Sequence, residues 1–343
     1  MQLSSNPFLF WFDVASAASA FFEPATSGSP SAVTKGTFTG QHGATGDYKL
    51  FLPRATSGPL PLVLMLHGCS QDPDDFAAAT RMNEAAAAAG FAVLYPAQPT
   101  GANAHRCWNW HQPAHQQRGH GEPAQLADLV REVASVHRVD PRRIYVAGMS
   151  AGGAMAAVLG EAYPDVFAAV GVHSGLAAHA ASDLRSALAA MRGDCPAVDA
   201  TPTCIPTIVF HGDADKTVHS ENAARVARAV TGALALVEQE TCLEGGRNST
   251  REVHRSPDGE VLVEHWTVHG AAHGWSGGSC KGSFADERGP DASARMLKFF
   301  SEHPLRVGAA RGTPSKRSAR FRSAASRGTG GKMAALPPLM SSK

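Results

Sequence analysis

Ser150 stands at the centre of Gly148-Met149-Ser150-Ala151-Gly152, a spacing suited to nucleophilic acyl transfer. Such a turn holds the serine on a strained strand-to-helix corner and lifts its hydroxyl out of the sheet. Glycine on either side removes Cβ atoms that would clash there. A serine hydroxyl becomes a nucleophile only beside a base, and the base needs an acid to orient it. Both residue types follow downstream, in the order nucleophile, acid, base. The segment His211-Gly212-Asp213-Ala214-Asp215 offers two carboxylates, and His269-Gly270-Ala271-Ala272-His273-Gly274 offers two imidazoles. Asp215 is the expected acid, with Asp213 as the alternative. His273, whose neighbouring glycines leave its ring room to turn, is the expected base, with His269 as the alternative. Acyl transfer also needs donors for the developing oxyanion. The backbone N–H groups of Ala151 and of Cys69, in His67-Gly68-Cys69-Ser70-Gln71, are the expected pair.

These residues need a scaffold that brings distant segments together. The apolar run Ile144–Ala147 predicts the strand before the turn, and Ala154–Leu159 a helix after it that stops before Pro164. From about residue 36 the chain alternates strands and helices. The expected elements are strands Tyr48–Leu52 and Leu60–Leu66, a helix Ala77–Ala89, strand Phe91–Tyr95, a helix near Gln125–Arg138, and strands Phe167–Val172, Thr207–Phe210 and Val261–Val268. Continuous apolar strands alternating with helices predict an α/β fold with a mostly parallel, doubly wound sheet. The segment 101–123, rich in His, Gln, Asn, Pro and Trp, is too long and polar for a simple connector.

With 343 residues, 43% of them hydrophobic, the chain can bury a sizeable core. The net charge of +1 is unevenly spread: residues 306–343 carry nine Lys or Arg and no acid, leaving 22 basic against 30 acidic side chains elsewhere. The expected organisation is an N-terminal arm or signal segment over 1–35, a catalytic domain over 36–303 and a basic disordered tail over 304–343. The tail could contact anionic surfaces; no nucleic-acid partner is expected. No apolar run reaches the length of a transmembrane segment. Pro7-Phe8-Leu9-Phe10-Trp11-Phe12, followed by Ala18-Ser19-Ala20, looks like a signal-peptide core and cleavage site, although no basic residue precedes it and Asp13 interrupts it. Secretion is the expected location, with the cytoplasm as the alternative. Six cysteines show no C-x-x-C spacing, and Pro113 interrupts the cluster His105, His111, His115 and His120, so no metal is expected. Sequence proximity pairs Cys195 with Cys204.

Five motifs in this order resemble the esterases related to polyhydroxybutyrate depolymerases, a group that includes feruloyl and acetylxylan esterases. They are His67–Gln71, Cys107-Trp108-Asn109-Trp110, Gly148–Gly153, Phe210–Asp215 and His273-Gly274-Trp275-Ser276-Gly277-Gly278, within about residues 45–300. The resemblance implies the α/β-hydrolase fold, a Ser150–Asp215–His273 triad, oxyanion donors at Cys69 and Ala151, and no cofactor. It further implies that Trp108 and Trp110, with Trp275, border an acyl-binding cleft, where flat indoles suit apolar chains. The implied partner is an ester substrate, possibly polymeric: short-chain hydroxyalkanoate esters or oligomers, with feruloyl or acetylxylan esters as the alternative. A serine peptidase and a non-catalytic polymer-surface-binding protein are the remaining readings. The complete triad order argues against the last. Crystalline polymer is a poor expectation, because no folded binding domain is expected after residue 303. Cys69 and Cys107 lie in the two loops assigned to the oxyanion hole and the cleft, so a disulfide between them is expected.

Overall fold

The apolar run Leu60–Leu66 forms a fully buried strand in the computed structural model of the protein, which describes residues 31–40, 45–54, 58–194, 202–232 and 236–305. The N-terminal segment through residue 30 and the basic tail from 306 lie outside the described residues, as does Cys195 of the Cys195–Cys204 pairing. The first of the described elements are β1 (Ala32–Thr39), β2 (Thr45–Leu52) and β3 (Leu60–Leu66), followed by α1 (Pro73–Thr80), α2 (Met82–Ala89) and β4 (Ala92–Pro96). Next come α3 (Gly121–Val136), β5 (Val139–Met149), α4 (Ala151–Ala162), β6 (Val170–His173) and α5 (Leu184–Met191). The last part holds β7 (Thr207–Gly212), α6 (Glu221–Thr231), β8 (Leu236–Glu244), β9 (Arg247–Arg255), β10 (Val261–Val268) and α7 (Ala292–Glu302).

Ten strands make one sheet in the order β1-β2-β4-β3-β5-β6-β7-β10-β9-β8. The six central strands, β4 through β10, run parallel, while β1–β2 and β8–β9 add antiparallel margins. Together with the helices on both faces this is the α/β-hydrolase fold. Alternation along β3 divides the core: Leu62, Leu64 and Leu66 face the side of Leu126, Met155 and Val226, whereas Val63 and Met65 face Phe76, Met82 and Phe300. Helices α3, α4 and α6 therefore cover one face, and α1, α2 and α7 the other. In a parallel sheet so covered, the loops at the carboxyl ends of the strands are the place for a site.

Three expectations change. The single helix Ala77–Ala89 is two: Asp72 caps α1 by accepting from Asp74 N and Asp75 N, and Arg81, in the left-handed region at φ 53°, separates it from α2. The domain limit at residue 36 falls inside β1, which pairs with β2 from Ala32 onward. At the other end Leu305 is still tied to β5, its N–H donating to Arg142 O at 2.8 Å. The polar hairpin β8–β9 was not foreseen. It turns at Gly245-Gly246, both at positive φ, the backbone that a tight hairpin turn requires.

Candidate active site

β5 delivers Ser150 to the carboxyl edge of the sheet, and α4 starts immediately after it. Ser150 has φ 55° and ψ −119°, a conformation that costs a non-glycine residue about 1–3 kcal/mol and persists only where its surroundings impose it. They do so here: Ser150 N donates to His173 O at 2.9 Å. A Cβ on Gly152 would collide with Leu66 O and His67 O, and one on Gly148 with the Gly152 backbone and Leu66 O. Both glycines are thus demanded by the close approach of the loop after β3. Ala151 opens α4, so its N–H belongs to the unsatisfied, electropositive first turn.

Asp215 follows β7 and His273 follows β10, strands that lie side by side. His273 Nδ1 and Asp215 Oδ2 are 2.6 Å apart, and the Asp215 side chain is wholly enclosed. The other oxygen, Oδ1, accepts from Thr217 N at 2.8 Å and Val218 N at 2.9 Å. Burial opposes ionisation of Asp215. Hydrogen bonding from His211 and His273 outweighs it and holds the carboxyl well below the usual carboxylate range. A carboxylate so held fixes Nδ1 as the protonated nitrogen of His273. Its Nε2 bonds no protein atom among the described residues.

The alternative pair is also formed. His269 Nδ1 lies 2.8 Å from Asp213 Oδ2, but both side chains are about two-fifths exposed, and His269 Nε2 is 2.9 Å from Thr250 Oγ1. Both ring nitrogens of His269 are therefore engaged. His273 alone of the two leaves a ring nitrogen for a serine.

His173 lies beneath these loops. Its carbonyl holds Ser150, its Nε2 accepts from Ser276 N at 2.9 Å, and its ring stacks on Trp275 with centroids 4.8 Å apart. Burial, aided by His211 and His273 nearby, pushes its pKa down to about 3, so the ring is neutral. One residue thus links the serine turn to the His273 loop.

On the other side of the turn, Gln71 accepts from Gly68 N at 2.9 Å and donates to Ser283 O at 3.0 Å, which shapes the segment carrying Cys69. Cys69 is disulfide-bonded to Cys107. The long polar segment is ordered around the buried Glu122, whose carboxylate accepts from Asn109 N, Asn109 Nδ2 and Gln98 Nε2 at 2.6–2.7 Å.

The tryptophans depart from expectation. Trp108, Trp110 and Trp275 are 3%, 5% and 0% exposed, so none offers a face to a ligand chain in a cleft at Ser150. Trp108 donates Nε1–H to His67 O at 3.1 Å, and the surface cavity it lines with Phe38, Gln98 and Leu126 contains none of Ser150, Asp215 and His273. Trp275 packs edge-on against Phe76 and donates to Ser293 Oγ. All three are buried packing residues, and Trp108 and Trp275 satisfy their indole N–H groups inside the protein. The aromatic side chain the sequence did not reveal is Phe284, 48% exposed and edge-on to His273 at 6.3 Å. The sequence offered only a phenylalanine ten residues after Gly274 as a signal.

The family model for esterase PHB depolymerase matches residues 46–251. The chain is 31% identical over 250 residues to poly(3-hydroxyalkanoate) depolymerase C of Paucimonas lemoignei, covering 67% of this chain and 59% of that protein. It is 28% identical over 284 residues to the poly(3-hydroxybutyrate) depolymerase of Ralstonia pickettii, covering 76% of this chain and 57% of that one. The chain thus spans less than three-fifths of the length of either relative. Among solved structures, the acetyl xylan esterase from Aspergillus awamori shares the fold, with a TM-score of 0.61 at 18% identity over 79% of this chain and 99% of that one.

Proposed function

The chain belongs to the esterase PHB depolymerase family, and from that premise we propose that it is a serine carboxylic-ester hydrolase working through an acyl-enzyme. In this reading Ser150 Oγ attacks the ester carbonyl while His273 Nε2 takes its proton, then returns it to the departing alcohol. Asp215 keeps Nδ1 protonated and stabilises the imidazolium that forms. The backbone N–H groups of Ala151 and Cys69 receive the oxyanion, and water, activated by the same His273, releases the acid. The observation that carries this reading is the enclosed Asp215–His273 contact of 2.6 Å on the loops beside the strained Ser150.

The proposed substrates are short-chain hydroxyalkanoate esters or oligomers. Support comes from the two relatives named as depolymerases of such polyesters. The Cys69–Cys107 disulfide supports secretion, since oxidised cysteines persist outside the cytosol. The decisive experiment compares 3-hydroxybutyrate oligomers, an amorphous polyhydroxybutyrate film, p-nitrophenyl esters, feruloyl and acetylated-xylan substrates, and a peptide library, each with wild type and Ser150→Ala. Ester cleavage that vanishes in Ser150→Ala supports the proposal. Cleavage of peptides alone, or ester turnover that survives the substitution, overturns it.

A further inference from the structure

We infer that Glu252, His254 and His265 form a binding site for one divalent transition-metal ion, of which zinc fits the donors best. Glu252 and His254 are two apart on β9 and share a face of the sheet; His265 on β10 is directly opposite Glu252 in the antiparallel register. One ligand atom from each of the three lies within 4.8 Å of the others. His265 Nδ1 is 3.0 Å from Glu252 Oε2, and His254 Nε2 is 3.9 Å from the same oxygen. Around a tetrahedral ion with bonds of about 2.0–2.1 Å, neighbouring ligand atoms stand roughly 3.3 Å apart. The two spacings to the Glu252 oxygen bracket that value.

A second observation points the same way. His254 Nε2 is buried and makes no hydrogen bond among the described residues. An orphaned buried ring nitrogen costs free energy, and a metal ion is a partner that would satisfy it. Two imidazoles and one carboxylate suit a borderline ion, whereas calcium and magnesium prefer oxygen alone. Three protein ligands leave the fourth position to water. Access is available: the Glu252 side chain is 31% exposed, and that of His254 15%. On binding, the ion takes the place of the proton between His265 Nδ1 and Glu252, and the neutral imidazole then carries its proton on Nε2.

The site sits within β9 and β10, back from the loop ends that hold Ser150, Asp215 and His273. Its effect would be to cross-link the parallel sheet to its antiparallel margin. The ester chemistry proposed above does not use it.

The test is titration of the chelator-stripped full chain with ZnCl2 by calorimetry, alongside the visible spectrum of the Co2+ form. The expected result is one ion per chain, a Co2+ spectrum of nitrogen and oxygen ligation without a thiolate charge-transfer band, and a raised unfolding midpoint. His254→Gln should weaken zinc binding by at least about tenfold, the lower end of what losing even an outer partner costs. Glu252→Gln, which keeps the volume and removes the charge, should do likewise and serves should His254→Gln not fold. Ester turnover should be equal in wild type and Glu252→Gln, so a failed metal test leaves the hydrolase reading standing. No stoichiometric zinc on wild type, unchanged affinity in a folded variant, or a thiolate band placing the ion on Cys204, Cys242 or Cys280 would overturn the inference.

Discussion

His173→Gln separates a neutral buried histidine from an ordinary packing residue. In the folded protein the His173 ring resists protonation down to about 3, against an ordinary value of 6.5. The unfolded chain therefore binds the extra proton between those values, and stability must fall as pH drops through that window. Working the two values through the linkage relation, His173 weakens the fold by well under about 1 kcal/mol at about pH 7 and by about 3 kcal/mol at about pH 4.5. Asp215 does not confuse the comparison. Its folded carboxyl lies below the ordinary 3.8, so its stabilisation is lost only as pH falls below that value. His67, His111 and His254 are also shifted down, by burial first, and contribute with the same sign in both proteins. They cancel in the difference. The assay is urea unfolding followed by tryptophan fluorescence for both proteins at both pH values. Glutamine loses the stacking on Trp275 and should be less stable than wild type at neutral pH. Its acid-induced loss should nevertheless be smaller than that of wild type by about 2–3 kcal/mol. Equal losses, within about 0.5 kcal/mol, would refute the reasoning, because additivity of independent sites is no better than that.

Asp215→Asn should lower kcat on a p-nitrophenyl ester by about ten-thousand-fold through the wrong His273 tautomer, whereas Asp213→Asn should stay within a few-fold of wild type; the opposite ranking would move the acid to Asp213. Replacing Cys69 and Cys107 together by serine opens a link across a sequence separation of 38, and the chain-entropy relation gives a loss of about 4 kcal/mol in urea unfolding. Gly152→Ala should destabilise by more than about 2 kcal/mol, because its Cβ meets the rigid backbone oxygens of Leu66 and His67. Gly101→Ala, where a Cβ meets nothing within 4 Å, is the control and should be near neutral in thermal unfolding.

The centre of the sheet was legible where a strand is buried on both faces and appears as an unbroken apolar run, as Leu60–Leu66 does; that strand and Val261–Val268 were bounded to the residue. The hairpin β8–β9 was not, since most of its residues are polar and half-exposed, and its pairing is set by neighbours rather than by composition. Its one local signal was Gly245-Gly246. The helix 77–89 was misread for a related reason. Alanine favours a helix on either side of Arg81, and nothing in that composition marks a single left-handed residue. The tryptophans show the converse error. Indoles beside a motif suggest a ligand surface, yet in this fold the polar loop 101–123 is built from the inside, around the buried Glu122, and its indoles fill that interior.

The choice between the two Asp–His pairs marks where sequence ends and structure begins. Asp213 with His269 and Asp215 with His273 come from the same two loops, are separated by 56 and 58 residues, and both close to within hydrogen-bonding distance. Residue type, order and spacing cannot rank them, because they are nearly the same in each. What ranks them is environment. Asp213 and His269 meet solvent, where water competes for the contact and the exposed pair holds a geometry weakly. Asp215 is enclosed, braced by two backbone N–H groups, with His211 beside it, so the histidine it meets has one tautomer and one orientation. Thr250 then occupies the free nitrogen of His269, and no protein group among the described residues occupies that of His273. A base must keep one ring nitrogen unoccupied, and of the two pairs only the enclosed one does so among the described residues.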